Sequence, residues 1–371
     1  MAGSSPQERG RNPRVLFVSD LAESKGHIYR VLHNVAALES AGLKVSWAGY
    51  SEGTYDRINQ ADIVILFRGM WDDFTSGLYA CCRRQGIPIG FDIDDLIFDS
   101  EVLTEKNFDF LRLTAPAVRE DWLVNRIGNY RRAILESDFC TVSTLPLATA
   151  VEKLQIPAYV LQNGFDAKML RSANEALIEF ADKPSSHDGW FRLGYASGTP
   201  THQKDFATIA PTLCELMDDR PDLLLSIVGH LNMGEFPELD RHKDRIETRP
   251  LVPHSELLRE YARFDVNLAP LEIGNPFCEA KSALKYVEAA LVEVPTVAAA
   301  TLPYREVITN GETGWTAQNP KEWRARIGEL IDNAVARKQL GKNARQNVQE
   351  TLGPEAKYME LQRMFSSVAR L

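Results

Sequence analysis

Residues 276–297 read PFCEAKSALKYVEAALVEVPTV, and this stretch predicts one amphipathic helix running into a β-strand. At about 100° per residue, Ala280, Leu284, Val287 and Leu291 fall on one stripe, whereas Lys281, Lys285 and Glu288 fall on another. The helix therefore has a core face and a charged face. Lys281 and Lys285 lie one turn apart near its start, and Glu288 follows roughly 10 Å further along the axis. Cations near a helix start with a carboxylate beyond them suit a ligand that carries phosphates at one end and sugar hydroxyls at the other. The plainer alternative is a solvated face with a Lys285–Glu288 pair worth a few tenths of a kcal/mol.

The chain has 371 residues, which predicts two domains, and 44% hydrophobic with 25% charged residues is ordinary for a soluble globular protein. Its formal net charge of -9 argues against a broad nucleic-acid-binding role. No apolar run approaches the ~20 residues of a membrane-spanning helix. Residues 1–13 are polar, without an apolar signal-peptide core, and are expected to form a disordered tail. Cys81, Cys82, Cys140, Cys214 and Cys278 lack metal-site spacing and fit reduced thiols in a cytoplasmic protein.

In chain order, residues 14–20 predict a buried strand, a loop with Gly26 and His27 follows, and a helix runs from about Ile28 to Ala41, ended by Gly42. A strand over residues 44–49 completes the opening of a βαβ unit. Further strands are expected over 62–68, 139–143, 158–161, 191–196, 223–228, 266–270 and 295–299, with helices over 75–85, 117–136, 147–154, 323–347 and 355–371. Residues 87–99, IPIGFDIDDLIFD, end an apolar strand in carboxylates: Asp92, Asp94 and Asp95. That places charge at the carboxyl edge of a sheet, where doubly wound folds bind ligands, and period two puts Asp92 and Asp94 on one face if the strand continues that far. A helix cap with solvated neighbours is the alternative. Residues 197–205, SGTPTHQKD, offer backbone N–H groups and hydroxyls to an anion at a helix start, from Ser197 and Gly198, and Lys204 adds charge. Arg126, Arg131 and Arg132 form a basic patch, compatible with a solvated face, an anionic acceptor or a membrane surface.

The segment around Glu288 resembles the nucleotide-sugar site of retaining GT-B glycosyltransferases, family 4 (glycosyl transferases group 1) in particular. There a Glu-Ala pair, a short spacer and a Pro-Val-Val strand bind the donor ribose, matching Glu288, Ala289 and residues 294–297 (VPTV). The chain departs from the pattern at Ala280, eight residues before Glu288, with Glu279 one place early, and at Glu293, where the family has Gly. The resemblance covers most of the chain, most closely residues 190–350. It implies two Rossmann-like domains facing a central cleft, 14–166 on the acceptor side and 189–353 on the nucleotide-sugar side. A linker (167–188) would join them, and a terminal helix (354–371) would cross back to the first domain.

It further implies donor contacts from Ser197, Gly198 and Lys204, and from Glu279, Lys281, Ser282, Lys285 and Glu288. The acceptor side would include Gly26 and His27, with Asp92, Asp94, Asp95, His27 and Lys204 nearest the chemistry. No cofactor or metal is expected, because the nucleotide sugar is itself a substrate. A glycan, lipid-linked or small-molecule acceptor is implied, at the inner face of a membrane or free in the cytoplasm. Three alternatives stand beside it. In a GT-A-type enzyme, Asp92 and Asp94 would hold Mn²⁺ as a D-x-D motif. A nucleotide-sugar epimerase shares the GT-B fold, and a silent binding subunit would retain it without catalysis.

Overall fold

The structure is a computed structural model that describes residues 13–22, 24–104, 115–181 and 188–368. The expected polar tail lies almost wholly outside the described residues, as do residues 183–186 of the expected linker. Among the described residues, two six-stranded sheets account for all the named strands. The first contains β1 (Val15–Val18), β2 (Val45–Ala48), β3 (Ile63–Phe67), β4 (Ile89–Ile93), β5 (Phe139–Val142) and β6 (Ala158–Val160), in the order β2-β1-β3-β4-β5-β6. The second contains β7 (Phe191–Ser197), β8 (Leu223–Gly229), β9 (Ile246–Arg249), β10 (Val266–Ala269), β11 (Thr296–Ala299) and β12 (Trp315–Ala317), in the order β12-β11-β10-β7-β8-β9.

Every pairing within the two sheets is parallel. Parallel neighbours need long crossovers, so helices cover both faces, and β1, β3, β4, β5, β7, β10 and β11 are buried along their whole length. Continuous apolar runs such as Ile63–Phe67 are what that burial selects. Strand order reverses between β1 and β3 in the first sheet and between β7 and β10 in the second. At such a point the crossovers leave in opposite directions and open a crevice beyond the strands' carboxyl ends.

The helix Pro354–Val368 returns to the first domain, where Leu361, Met364, Phe365 and Val368 pack with Val31, Val35 and Leu38. Its Lys357 is buried, donates to the Gln162 carbonyl and pairs with Glu360 at 3.4 Å. Met359 on the same helix is 49% exposed.

Several expectations need correction. The stretch from Pro276 is two helices, Pro276–Glu279 and Leu284–Leu291, separated by residues 280–283, so Ala280 leaves the apolar stripe. It packs with Phe277 in the core of the first domain. The Asn275 side chain caps the first piece, and Ala283 precedes the second with ψ near 36°, outside the helical range. Residues expected as a linker form a helix over Ala167–Glu179, capped by Asp166, whose Met169, Ala173 and Ala176 are buried in the second domain's core. The helix expected over 323–347 breaks at Asn333 into Pro320–Asp332 and Ala334–Leu352. The first helix begins at Lys25, earlier than expected, and carries a π-helical stretch over Ile28–Leu32.

Candidate functional site

On the second-domain side, the loop after β7 and the segment after β10 flank the crevice at the strand-order reversal. Gly229 holds φ at +94° and passes so close to the Ser197 carbonyl that a Cβ there would lie 2.0 Å from it; no side chain fits. His230 N–H donates to that carbonyl at 2.9 Å, which sets the strand end from which the loop departs. Ser197 is buried and its hydroxyl donates to the Thr199 carbonyl at 3.1 Å, so it shapes the loop. Lys204 is half-buried in the short helix Gln203–Ala207 that follows.

Lys281 and Lys285 both bear on the half-buried His202 ring, whose pKa is driven down to about 3 by burial first and then by those two cations. His202 is therefore neutral, and with Nδ1 donating to Asp205 at 2.8 Å its Nε2 is left as an acceptor. Lys285 is itself pushed down to about 8, mainly by burial, with Lys281 and Lys25 adding to the effect. Its ammonium lies 5.7 Å from the Tyr195 ring centroid, and that of Lys281 lies 5.3 Å from Phe277.

Glu288 is 7% exposed, and both of its oxygens accept phenolic O–H groups: Oε1 from Tyr29 at 2.6 Å and Oε2 from Tyr261 at 2.8 Å. Tyr29 comes from the first domain and also meets His254 Nε2 at 3.0 Å. A carboxylate has about four acceptor directions, so this arrangement leaves roughly half of them for other donors. No ion pair joins Lys285 to Glu288 among the described residues. Glu279 does not reach toward the lysines: its carboxylate accepts the Gly274 and Leu302 backbone N–H groups, each at 3.0 Å, and pins two loops together. Ser282 accepts from Asn163 Nδ2 at 2.9 Å, a contact between the domains rather than an unengaged hydroxyl.

On the first-domain side the carboxylates separate. Asp92 is fully buried at the end of β4, gripped by Arg30 through Nε at 2.9 Å and Nη2 at 2.7 Å, and accepts from Thr141 at 2.5 Å. It supports the sheet edge and does not line the cleft, because a buried carboxylate is stable only when so paired. Strand pairing ends at Ile93, so Asp94 does not share its face. Asp94 and Asp95 are both held by Arg68. Arg68 adopts a left-handed φ of +47° just past β3. Burial pushes the Asp94 carboxyl up despite Arg68 beside it. Gly26 sits against this group, a Cβ there falling 3.1 Å from Asp94 Oδ2 and 2.9 Å from the Phe67 ring.

His27 turns inward. It is buried, its Nδ1 lies 3.0 Å from Ser19 Oγ, its ring meets Trp47 edge-on at 4.8 Å, and its Nε2 is without a partner among the described residues. Burial lowers its pKa, so it is not a standing cation.

Sequence reasoning missed Lys25, Tyr29, Arg30, Arg68, Tyr261 and His254. Tyr29 and Tyr261 carry no spacing signal, being 259 and 27 residues from the carboxylate they serve. Among the described residues, two groups bring metal-capable atoms within 4.8 Å of one another: Asp205, Glu272 and Cys278, and Cys214, Asp218 and His242. Neither is poised for a cation. Burial pushes the Cys278 thiol up, and it donates to Asp205, while His242 Nδ1 faces Arg245 Nη2 at 2.8 Å and Cys214 donates to the Glu238 carbonyl.

Two parallel sheets in these orders, with the reversal points facing one another and a final helix crossing back, match solved two-domain structures along nearly their whole length. HepE of Anabaena in complex with UDP-glucose is 13% identical, with 96% of this chain and 100% of that chain covered and a TM-score of 0.63. The fold is GT-B. Sucrose-phosphate synthase of Thermosynechococcus elongatus aligns equally well, at 14% identity over 96% of this chain and 99% of that chain, TM-score 0.63. A putative UDP-N-acetylglucosamine 2-epimerase of Listeria monocytogenes shares the fold at 12% identity and TM-score 0.54, over 95% of this chain and 96% of that chain. Within this GT-B chain, residues 191–333 match the family model described as Glycosyl transferases group 1. A curated relative, spore coat protein SA of Bacillus subtilis (strain 168), is 23% identical over 154 residues, spanning 38% of this chain and 40% of that protein.

Proposed function

We propose that the protein is a retaining glycosyltransferase that moves a sugar from a nucleotide-sugar donor to a hydroxyl acceptor without a metal ion. The observation that carries this reading is the convergence of Lys281 and Lys285 on the loop after β7, with Glu288 beyond them, opposite Gly26 and Asp94. The family match falls on the same half of the chain.

The donor diphosphate would lie against the Ser197 and Gly198 amides, with Lys204, Lys281 and Lys285 supplying positive charge. Ribose hydroxyls would donate to the acceptor directions of Glu288 that the tyrosines leave open. As the glycosidic bond to the diphosphate breaks, negative charge grows on the leaving phosphate, and ammonium groups already in place stabilise it without reorganisation. The acceptor hydroxyl would attack the face from which the diphosphate departs, which retains configuration, and the leaving phosphate oxygen would take its proton. Gly26, Asp94, Asp95 and Arg68 would line the acceptor side, and closure of the domains brings the reactants together. The Asp92-x-Asp94 spacing gives no two-carboxylate cation site in this arrangement, since Asp92 is wholly engaged by Arg30 and Thr141.

A thermal-shift screen against UDP-, GDP-, dTDP- and ADP-sugars tests donor binding, because a ligand that binds the native state stabilises it by mass action. The active donor, incubated with glycan, lipid-linked and small-molecule acceptors, should give a product whose anomeric configuration by NMR matches the donor. An inverted product would refute retention. Conversion of the donor sugar without any acceptor would favour an epimerase, a chemistry that the fold also hosts.

A further inference from the structure

The first helix of the chain presents one edge to the second domain. Lys25, Tyr29 and His33 follow one another at intervals of four, the spacing that stacks side chains on a helix face. Tyr29 donates to Glu288, and the His33 ring lies 6.4 Å from that of His254. Lys25, at the end of this edge, reaches the Gly198 loop. A Cβ placed on Gly198 would fall 2.9 Å from Lys25 Nζ and 3.6 Å from its Cδ and Cε. The lysine therefore occupies the space that any larger residue at 198 would need.

Three observations make this more than a resting surface side chain. Lys25 has no ion-pair partner among the described residues, although the same cleft holds Asp205 and Glu288. Its charge adds to that of Lys281 at Lys285, so three ammonium groups share one small region, where the carboxylates of Glu288 and Asp205 offset them only in part. Lys25 is also the first residue of its helix, after the Ser24 cap, where the helix dipole disfavours a cation. Locally the residue is a poor choice on each count. An anion bound between the loop and the lysines would reverse the sign of the electrostatic terms.

We propose that Lys25 is a donor-phosphate ligand supplied by the first domain, so that the diphosphate site is completed across the cleft. The inference rests on reading the Ser197–Gly198 loop as the diphosphate cradle. Because the lysine reaches the loop only when the domains are together, its contribution belongs to the phosphates and not to the nucleoside. On this reading the ribose falls to Glu288 of the second domain, with Tyr29 behind it.

The test uses the full chain. UDP, GDP, dTDP and ADP are screened by calorimetry, and the tightest binder is compared with its own nucleoside on wild type, Lys25→Met, Lys25→Arg and Lys281→Met. Lys25→Met should weaken the diphosphate about tenfold or more, leave the nucleoside within twofold, and be largely rescued by Lys25→Arg, with an unchanged melting temperature. Undiminished diphosphate affinity in Lys25→Met, alongside a loss in Lys281→Met, would overturn the inference and leave the donor site intact on the second domain. An equal loss for diphosphate and nucleoside would also overturn it, marking Lys25 as a packing residue. If wild type bound none of the four nucleotides, the donor reading itself would fall and this inference with it.

Discussion

The Tyr29–Glu288 hydrogen bond can be measured as a free energy that joins the two domains. Tyr29→Phe removes one O–H and nothing else, so the cavity stays filled while Glu288 Oε1 loses its donor and His254 Nε2 loses its partner. A hydrogen bond to an ionised group contributes about 1.5–3 kcal/mol, and a buried carboxylate is costly to leave short of donors. Tyr29→Phe should therefore lose about 2 kcal/mol of stability. Glu288→Gln should lose a similar amount, because an amide accepts through one atom only and its NH₂ would face a phenolic O–H. Urea unfolding of the single and double variants, followed by tryptophan fluorescence, closes the cycle. If the bond is real, the double variant loses at least about 1 kcal/mol less than the sum of the singles. Losses that add within about 0.5 kcal/mol would refute a direct coupling and detach Glu288 from the first domain.

Lys285, held near pKa 8 where an ordinary lysine titrates near 10.5, ties donor binding to pH. Below about pH 8 the amine is charged and attracts a diphosphate, at some cost to folding; as pH rises toward 10.5 that cost and the attraction are both lost. Nucleotide affinity should therefore fall across this window, with proton uptake on binding, and calorimetry on Lys285→Arg should show a flatter profile. Asp94→Asn should impair transfer while nucleotide binding survives, whereas Asp92→Asn should lower stability by about 3 kcal/mol through the stranded Arg30; equal stability losses would refute the division between them. EDTA should leave transfer nearly unchanged, and activity lost to EDTA and restored by Mn²⁺ would move the site. Glu293→Gly should gain about 0.5–1 kcal/mol in thermal unfolding, since Glu293 holds a left-handed φ of +56°, offset in part by its 3.4 Å contact with Arg345.

The sheets were legible because buried parallel strands are largely continuous apolar runs, and Val15–Val18 or Ile63–Phe67 can be little else. Glu288, singled out by the resemblance, lies in the structure where the two domains meet, on Tyr29 of the first. Periodicity failed where the chain changes course within an apolar stretch. Ala280 fits a helical stripe on paper, yet it caps the short helix Pro276–Glu279 and packs against the other domain. Proximity in sequence also misled at Asp92, Asp94 and Asp95, which look like one cluster. Two arginines, 62 residues from Asp92 and 26 from Asp94, divide them into a buried support and a cleft-lining pair. The resemblance implied a donor contact for Glu279, but two backbone amides claim its carboxylate.

The chain crosses between the domains twice, once at residues 163–166 and again at 352–354, and the two crossings press against each other. A Cβ on Gly164 would lie 2.1 Å from the Leu352 carbonyl oxygen, and one on Gly353 would lie 3.4 Å from the Phe165 ring. Two attachments set well apart act like the paired hinges of a door and permit rotation about one line only. Two attachments at a single spot act like a ball joint, and leave three rotational degrees of freedom. Orientation must then come from contacts remote from the joint: Thr144 on the Ala280 carbonyl at 2.8 Å, and Tyr29 on Glu288. Loosening these contacts would thus permit a twist as well as an opening, and a probe of interdomain distance alone would miss the twist.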